Sequence, residues 1–219
     1  HLSIRRQRQM CIRDRSWLAG GTAPAITYVV KVVSDSGNKY RFDDFGTSAV
    51  TLDLQEGGTY TFDQSDSSNS GHPLRFYTAS DKTGGEYTTG VTTTGTPGSS
   101  GAQTVITVAA SAPTLYYQCS NHAGMGGQAN TNSTFGSSNF AGSIQTTVSA
   151  GTTQGFSIVS YTGNASVGAT IGHGLGVAPA VIIFKNRDAS VKWAVYHHKN
   201  TLNIPLVKIT KTLWISTSL

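Results

Sequence analysis

Three side chains within seven residues carry the most chemistry in this chain. They are Cys119, His122 and Met125, in the run Tyr-Tyr-Gln-Cys-Ser-Asn-His-Ala-Gly-Met-Gly-Gly over 116–127. A thiol, an imidazole and a thioether at i, i+3 and i+6 form a soft ligand set, and imidazole suits copper among several metals. Two imidazoles and a thiolate in a trigonal plane, with a weak axial thioether, make a copper site of the blue type. Three of those four ligands sit in this run. The fourth, a second imidazole, is expected from an earlier strand, and His72, in Ser-Gly-His-Pro-Leu-Arg-Phe over 70–76, is placed for it.

Two other uses of the same residues stay open. A lone Cys is often a small buried hydrophobe, and Met125 could serve loop packing. Zinc also takes Cys and His, but a structural zinc site is a closed set of four, and the chain has no second Cys-x2-Cys/His pair to complete one. Copper is therefore the expected ion, at His72, Cys119, His122 and Met125.

The elements that must position these residues read as strands. Runs rich in β-branched and aromatic residues fall at 26–33, 39–42, 50–54, 59–63, 73–77, 103–108 and 114–119, separated by Gly/Ser/Asn/Thr clusters, which predicts an all-β fold. The strand at 73–77 would present His72 at its start, and that at 114–119 would deliver the thiolate of Cys119. Residues 63–71 read as a polar, solvated turn. Residues 80–101 are a long Gly/Thr/Ser excursion, with a short strand around Tyr87, and a loop of that length is either functional or mobile. Two stacked sheets leave their loops at the ends, where such ligands would converge.

Charge is concentrated at the two ends. Five arginines oppose one acidic residue in the first fifteen positions, and Lys199, Lys208 and Lys211 lie at the far end. Residues 16–198 carry eight basic and ten acidic side chains. Nucleic-acid binding would need a basic face within the fold, so no nucleic-acid partner is expected. No apolar run approaches the roughly 18 residues of a membrane span, so no membrane partner is expected. The Arg-rich run over 5–15 resembles a sequencing adapter of the transposase type translated in frame, and residues 1–15 are set aside from fold reasoning with Cys11 among them. The chain is accordingly expected to be a fragment, with Cys119 its single native cysteine and no internal disulfide.

Beyond residue 130 the pattern changes. Residues 131–154 read as a Gly/Ser/Thr/Asn linker, with one strand at 143–148. Strong strands follow at 156–161, 180–185 and 192–197. Between them, Gly172-His173-Gly174 is expected to serve turn geometry rather than catalysis. The adjacent His197 and His198 should face opposite ways on a strand. Residues 199–219 read as an off-frame tail or a real strand pair.

The Cys-x2-His-x2-Met pattern after an aromatic strand, with an earlier His, resembles the cupredoxins, the family of plastocyanin and amicyanin. The resemblance covers about residues 25–130 and implies a Greek-key β-sandwich with one copper ion on His72, Cys119, His122 and Met125. The residue after the first His is often Asn or Ser in that family, where it braces the Cys loop. Pro73 stands there in this chain, so that brace is not expected. The run 155–198, with Gly-His-Gly-Leu-Gly leading to a buried strand and an Asn186-Arg187 turn, resembles a β-rich module of tail and other structural proteins of marine phages.

Together these imply an all-β chain of five parts: an adapter and lead-in over 1–24, a cupredoxin-like β-sandwich over 25–130, a linker over 131–154, a partial second β-rich module over 155–198 and an uncertain tail over 199–219. The expected role is a tail-associated virion structural protein. Its expected partners are other virion proteins, a host surface receptor and further copies of itself. A periplasmic or extracellular blue-copper electron carrier and a metal-free adhesion domain remain as alternatives. No enzymatic activity is expected, since the chain has no Ser/His/Asp arrangement with motif support, no phosphate-cradling Gly loop and no paired carboxylates in a recognisable frame.

Overall fold

The computed structural model describes residues 23–133, 136–190, 193–199 and 212–214. The Arg-rich run over 5–15 and most of the tail beyond residue 199 lie outside the described residues. The chain divides into two compact units, residues 1–138 and 139–219. Both are built from strands, so the all-β expectation holds.

The first unit contains β1 (Ala25–Ser34), β2 (Asn38–Phe42), β3 (Leu52–Gln55), β4 (Thr59–Asp63), β5 (Leu74–Tyr77), β6 (Val91–Thr94), β7 (Gln103–Thr107), β8 (Leu115–Cys119) and β9 (Gln128–Ser133), with one 3-10 turn at Ser67–Asn69. They form a five-stranded sheet in the order β2-β1-β4-β7-β6 and a four-stranded sheet in the order β3-β9-β8-β5. The chain steps repeatedly from one sheet to the other. Alternation drives the layering: in β4, Tyr60 and Phe62 are buried while Thr59, Thr61 and Asp63 are less so. Both sheets turn aromatic rings inward. Phe62 meets Phe76 of the other sheet at 5.5 Å between ring centroids, and Phe42 meets Tyr117 at 5.1 Å, both edge to face. The unit is therefore a two-layer sandwich around an aromatic core.

β1 serves two partners. Its first half pairs in parallel with β4 and its second half antiparallel with β2. At the changeover the Val29 N–H donates to Asp43 Oδ1 at 2.8 Å, so a side chain replaces the missing ladder bond.

Three expectations change in this unit. The turn over 63–71 is not solvated throughout: Gln64 and Asn69 within it are buried polar residues. Aspartates 63 and 66 accept from Ser65 N and Ser68 N, so they cap local turns. The excursion over 80–101 is an ordered meander whose strand, β6, lies further along than Tyr87 and pairs with β7; Glu86 makes only a single bridge to Tyr77. The third change is that β9 returns alongside β8 and pairs in parallel with β3, so the sandwich continues past residue 130.

The chain passes into the second unit within β10 (Ser137–Asn139). There follow β11 (Thr146–Gly151), β12 (Phe156–Tyr161), β13 (Thr170–Gly172), β14 (Val181–Phe184), β15 (Ala194–His197) and β16 (Thr212–Trp214). β11 and β12 form an antiparallel hairpin, as do β14 and β15, and β16 pairs antiparallel with β13. A small core of Ile144, Ala169 and Ile171 is covered by Val159, Tyr161, Ile182 and Phe184. Residues 131–154 are therefore not a linker. Ile144 supplies core and β11 supplies half of a hairpin, which the Ser/Thr-rich composition concealed. His173 is buried and its Nδ1 accepts from Leu175 N at 3.2 Å, closing its own turn as expected. His197 and His198 do not oppose one another. Their rings stack with centroids 5.0 Å apart, because β15 ends at His197 and His198 already belongs to a turn.

Phe62 packs against Tyr28, Phe42 and Phe76 from both layers. Phe62→Ala is expected to cost about 3–5 kcal/mol, read as a lowered urea midpoint of the first unit's transition by Tyr fluorescence.

Candidate metal centre

The register of two strands brings the ligands together. β5 and β8 are antiparallel with Leu74 opposite Cys119. His72 lies two residues before Leu74, and Ser120 N donates to Pro73 O at 3.0 Å, so the pairing continues past the strand ends. The segment before β5 therefore runs beside the loop after β8. Cys119 is fully buried, His72 is partly buried and His122 is exposed.

The distances suit one ion. Cys119 Sγ lies 3.9 Å from His72 Nδ1 and 3.6 Å from His122 Nδ1. All three ligand atoms fall within 4.8 Å of one another, and the two imidazole centroids are 4.6 Å apart. With bonds of about 2.3 Å to sulfur and about 2.0 Å to nitrogen, those separations subtend S–metal–N angles of roughly 110–130°, between tetrahedral and trigonal. His72, Cys119 and His122 thus form a cluster that could hold a metal. Met125, the remaining sequence-predicted residue, is buried at the end of the same loop, and Tyr40 N donates to its carbonyl at 2.8 Å.

The loop is fastened at several points. Gly126 N donates to Gln118 Oε1 at 3.1 Å, and Asn121 Nδ2 donates to Gly71 O at 2.9 Å. Lys82 Nζ reaches Cys119 O at 3.2 Å and Ser120 O at 3.1 Å, and Lys39 Nζ donates to Gly124 O. The brace that Pro73 cannot make thus comes in part from the loop itself, through Asn121. Gly126 is required by space: a Cβ there would stand 1.6 Å from Tyr117 O.

Sequence reasoning missed Tyr40, which comes from the opposite sheet. Its hydroxyl donates to His72 O at 2.9 Å. Burial first, and then the neighbouring Cys119, pushes the Tyr40 hydroxyl far above its ordinary range, so it remains a donor at any ordinary pH. It also missed Gln64, buried beside His72 O. The only signal for either was a polar tip, on a residue inside β2 for Tyr40 and just after β4 for Gln64. His72 is held below the ordinary imidazole range, chiefly by burial and secondarily by His122. A neutral His72 is the form that ligates.

Residues 128–218 match the model of a family described as a domain of unknown function (DUF7483). The match takes in the second unit and the tail, and begins after the four expected ligands. No curated protein and no solved structure matches the chain.

Two outcomes follow. Gly126→Ala is expected to lose about 3 kcal/mol or more, because the clashing atom is a strand carbonyl; chemical denaturation measures it. The second concerns acid. In the metal-free protein, the depressed pKa of His72 means the unfolded chain binds a proton first as pH falls below about 6.5. Its contribution is present above that pH and lost as pH falls through the folded pKa. His173, also depressed by burial, acts in the same direction. His72→Gln should therefore flatten part, not all, of the fall in urea midpoint between pH 7.5 and pH 5.

Proposed function

We propose that this chain is a tail-associated virion structural protein whose first unit is a cupredoxin-like domain holding one copper ion. His72 and His122 would bind through Nδ1, Cys119 through its thiolate, and Met125 as the weak axial contact. The observation that carries the copper reading is the convergence of one buried sulfur and two imidazole nitrogens within 4.8 Å at one end of a β-sandwich. A soft thiolate with two imidazoles is a donor set copper favours. When bound, the ion supplies a thiolate-to-metal charge-transfer centre and, where redox-active, a one-electron couple.

The chain's own residues do the remaining work. Cys119 sits on the dry, aromatic side and His122 faces solvent. A bound ion would tie the loop over 119–125 to the segment before β5, so its binding energy would become folding energy. In a virion this makes a staple, with no redox cycle required. The virion part rests on the resemblance of residues 155–198 to phage structural modules, and other virion proteins and a host receptor are the partners it implies. A blue-copper electron carrier is the second reading, and the solvent-facing edge of His122 favours it, since an electron partner needs such an edge.

Addition of Cu(II) to the purified chain should give an intense visible thiolate-to-copper band at one copper per chain, abolished in Cys119→Ser. Stoichiometric zinc by elemental analysis with no such band would replace copper by zinc. No stoichiometric metal of either kind would sink the metal centre and leave a metal-free adhesion domain. The virion role is tested by mass spectrometry of purified particles, in which peptides from residues 25–198 should appear.

A further inference from the structure

Pro73 poses a local problem. Proline has no N–H, so the chain between His72 and Leu74 can offer a neighbouring strand only an incomplete set of backbone groups, at the point where a ligand must be held. The structure meets this with one side chain. Gln64, the first residue after β4, donates from Nε2 to His72 O at 2.9 Å and accepts at Oε1 from Leu74 N at 3.1 Å. A single amide therefore satisfies the backbone groups on both sides of the proline, as a paired strand would.

The amide is itself fixed. Its main chain is held at both groups: Gln64 N donates to Ala102 O and Gln64 O accepts from Gly98 N, each at 2.8 Å. Asn69 Oδ1 lies 3.4 Å from Nε2, and Asn69 Nδ2 donates to Val30 O at 2.7 Å. Thr104 Oγ1, 3.5 Å from Oε1, donates to Leu74 O at 2.9 Å. Tyr40 adds its own donor to His72 O. Tyr40, Gln64, Asn69 and Thr104 are each at most 1 % exposed. The reversed amide would set oxygen against His72 O and NH₂ against Leu74 N–H, so only one orientation is allowed. Buried networks that are fully satisfied in this way hold one geometry.

We infer that Gln64 is a positioning residue of the metal centre: its amide clamps the main chain on both sides of Pro73 and thereby sets where the His72 ring stands against Cys119. The inference rests on the metal reading above. Groups that orient a metal's ligands typically change affinity by about 10- to 100-fold when removed. A merely structural role for Gln64 would lower stability and leave the spectrum of the bound ion unchanged.

The test uses the full chain carrying Gln64→Met, which keeps the length and removes both hydrogen bonds, with Tyr40→Phe as a second variant that removes one of the two donors to His72 O. Near-UV circular dichroism establishes that each is folded. In the metal-free proteins, amide exchange at Leu74 should speed up at least about tenfold in Gln64→Met, in keeping with loss of its acceptor, while Phe76 and Tyr117 keep their protection. With Cu(II), Gln64→Met should bind about 10- to 100-fold more weakly and shift the thiolate-to-copper band; Tyr40→Phe should shift the band in the same sense and by less. A folded Gln64→Met with wild-type affinity and band overturns the inference, as does unaltered Leu74 exchange. Should Gln64→Met not fold, an unshifted band in Tyr40→Phe overturns it. If the wild-type chain takes up no metal, the metal reading fails, and the exchange result still decides whether the clamp exists.

Discussion

The pairing of Leu74 with Cys119 is the constraint on which the candidate site depends. A side-chain period of two means that a slip of one residue would turn Cys119 away from the core and move His72 out of reach. The register is held by burial on both strands: Leu74 and Phe76 on one, Leu115, Tyr117 and Cys119 on the other are all sealed in the core. Ser120 N to Pro73 O extends the pairing just far enough for the two ligand segments to lie side by side. The aromatic contacts across the sandwich secure the same register from the other layer, since Phe42 and Phe62 reach Tyr117 and Phe76 in the paired strands.

Around that register the site is graded from dry to wet. Cys119 stands against the core, His72 at the boundary and His122 in solvent. Burial favours the neutral imidazole of His72 and therefore its lone pair. The loop between Cys119 and Gly127 is short and glycine-rich, yet it is fastened by Lys39, Lys82, Asn121 and the Tyr40 backbone. These contacts fix the loop that carries Cys119 and His122, and a preformed cluster lowers the ordering cost of binding. Gln64 extends the same logic to the other ligand segment, where proline removed the ordinary backbone solution.

The second unit is built on a different plan, with short hairpins over a small aliphatic core. It coincides with most of the region matched to the domain of unknown function. Its histidines do not form a ligand cluster among the described residues, and His173 is spent on its own turn.

Much of the sandwich was legible in residue order. Runs such as Thr59–Asp63 alternate so cleanly that strand and buried face follow from period alone. The spacing of Cys119 and His122 is local, so their proximity was readable as well. Strands without that signal were hidden: Gln128–Ser133 is polar except for Ala129 and is a strand because β3 and β8 flank it. The same holds for 131–154, where Ser and Thr composition suggested a linker although neighbours supply the pairing. At the site, residue types along the chain named His72, Cys119, His122 and Met125 as donors, because ligand chemistry resides in the side chain. The roles of Tyr40 and Gln64 could not be seen that way. They act on the His72 carbonyl from positions 32 and 8 residues away, and a contact between a side chain and a distant backbone group leaves no spacing pattern. Long-range pairing alone decides it.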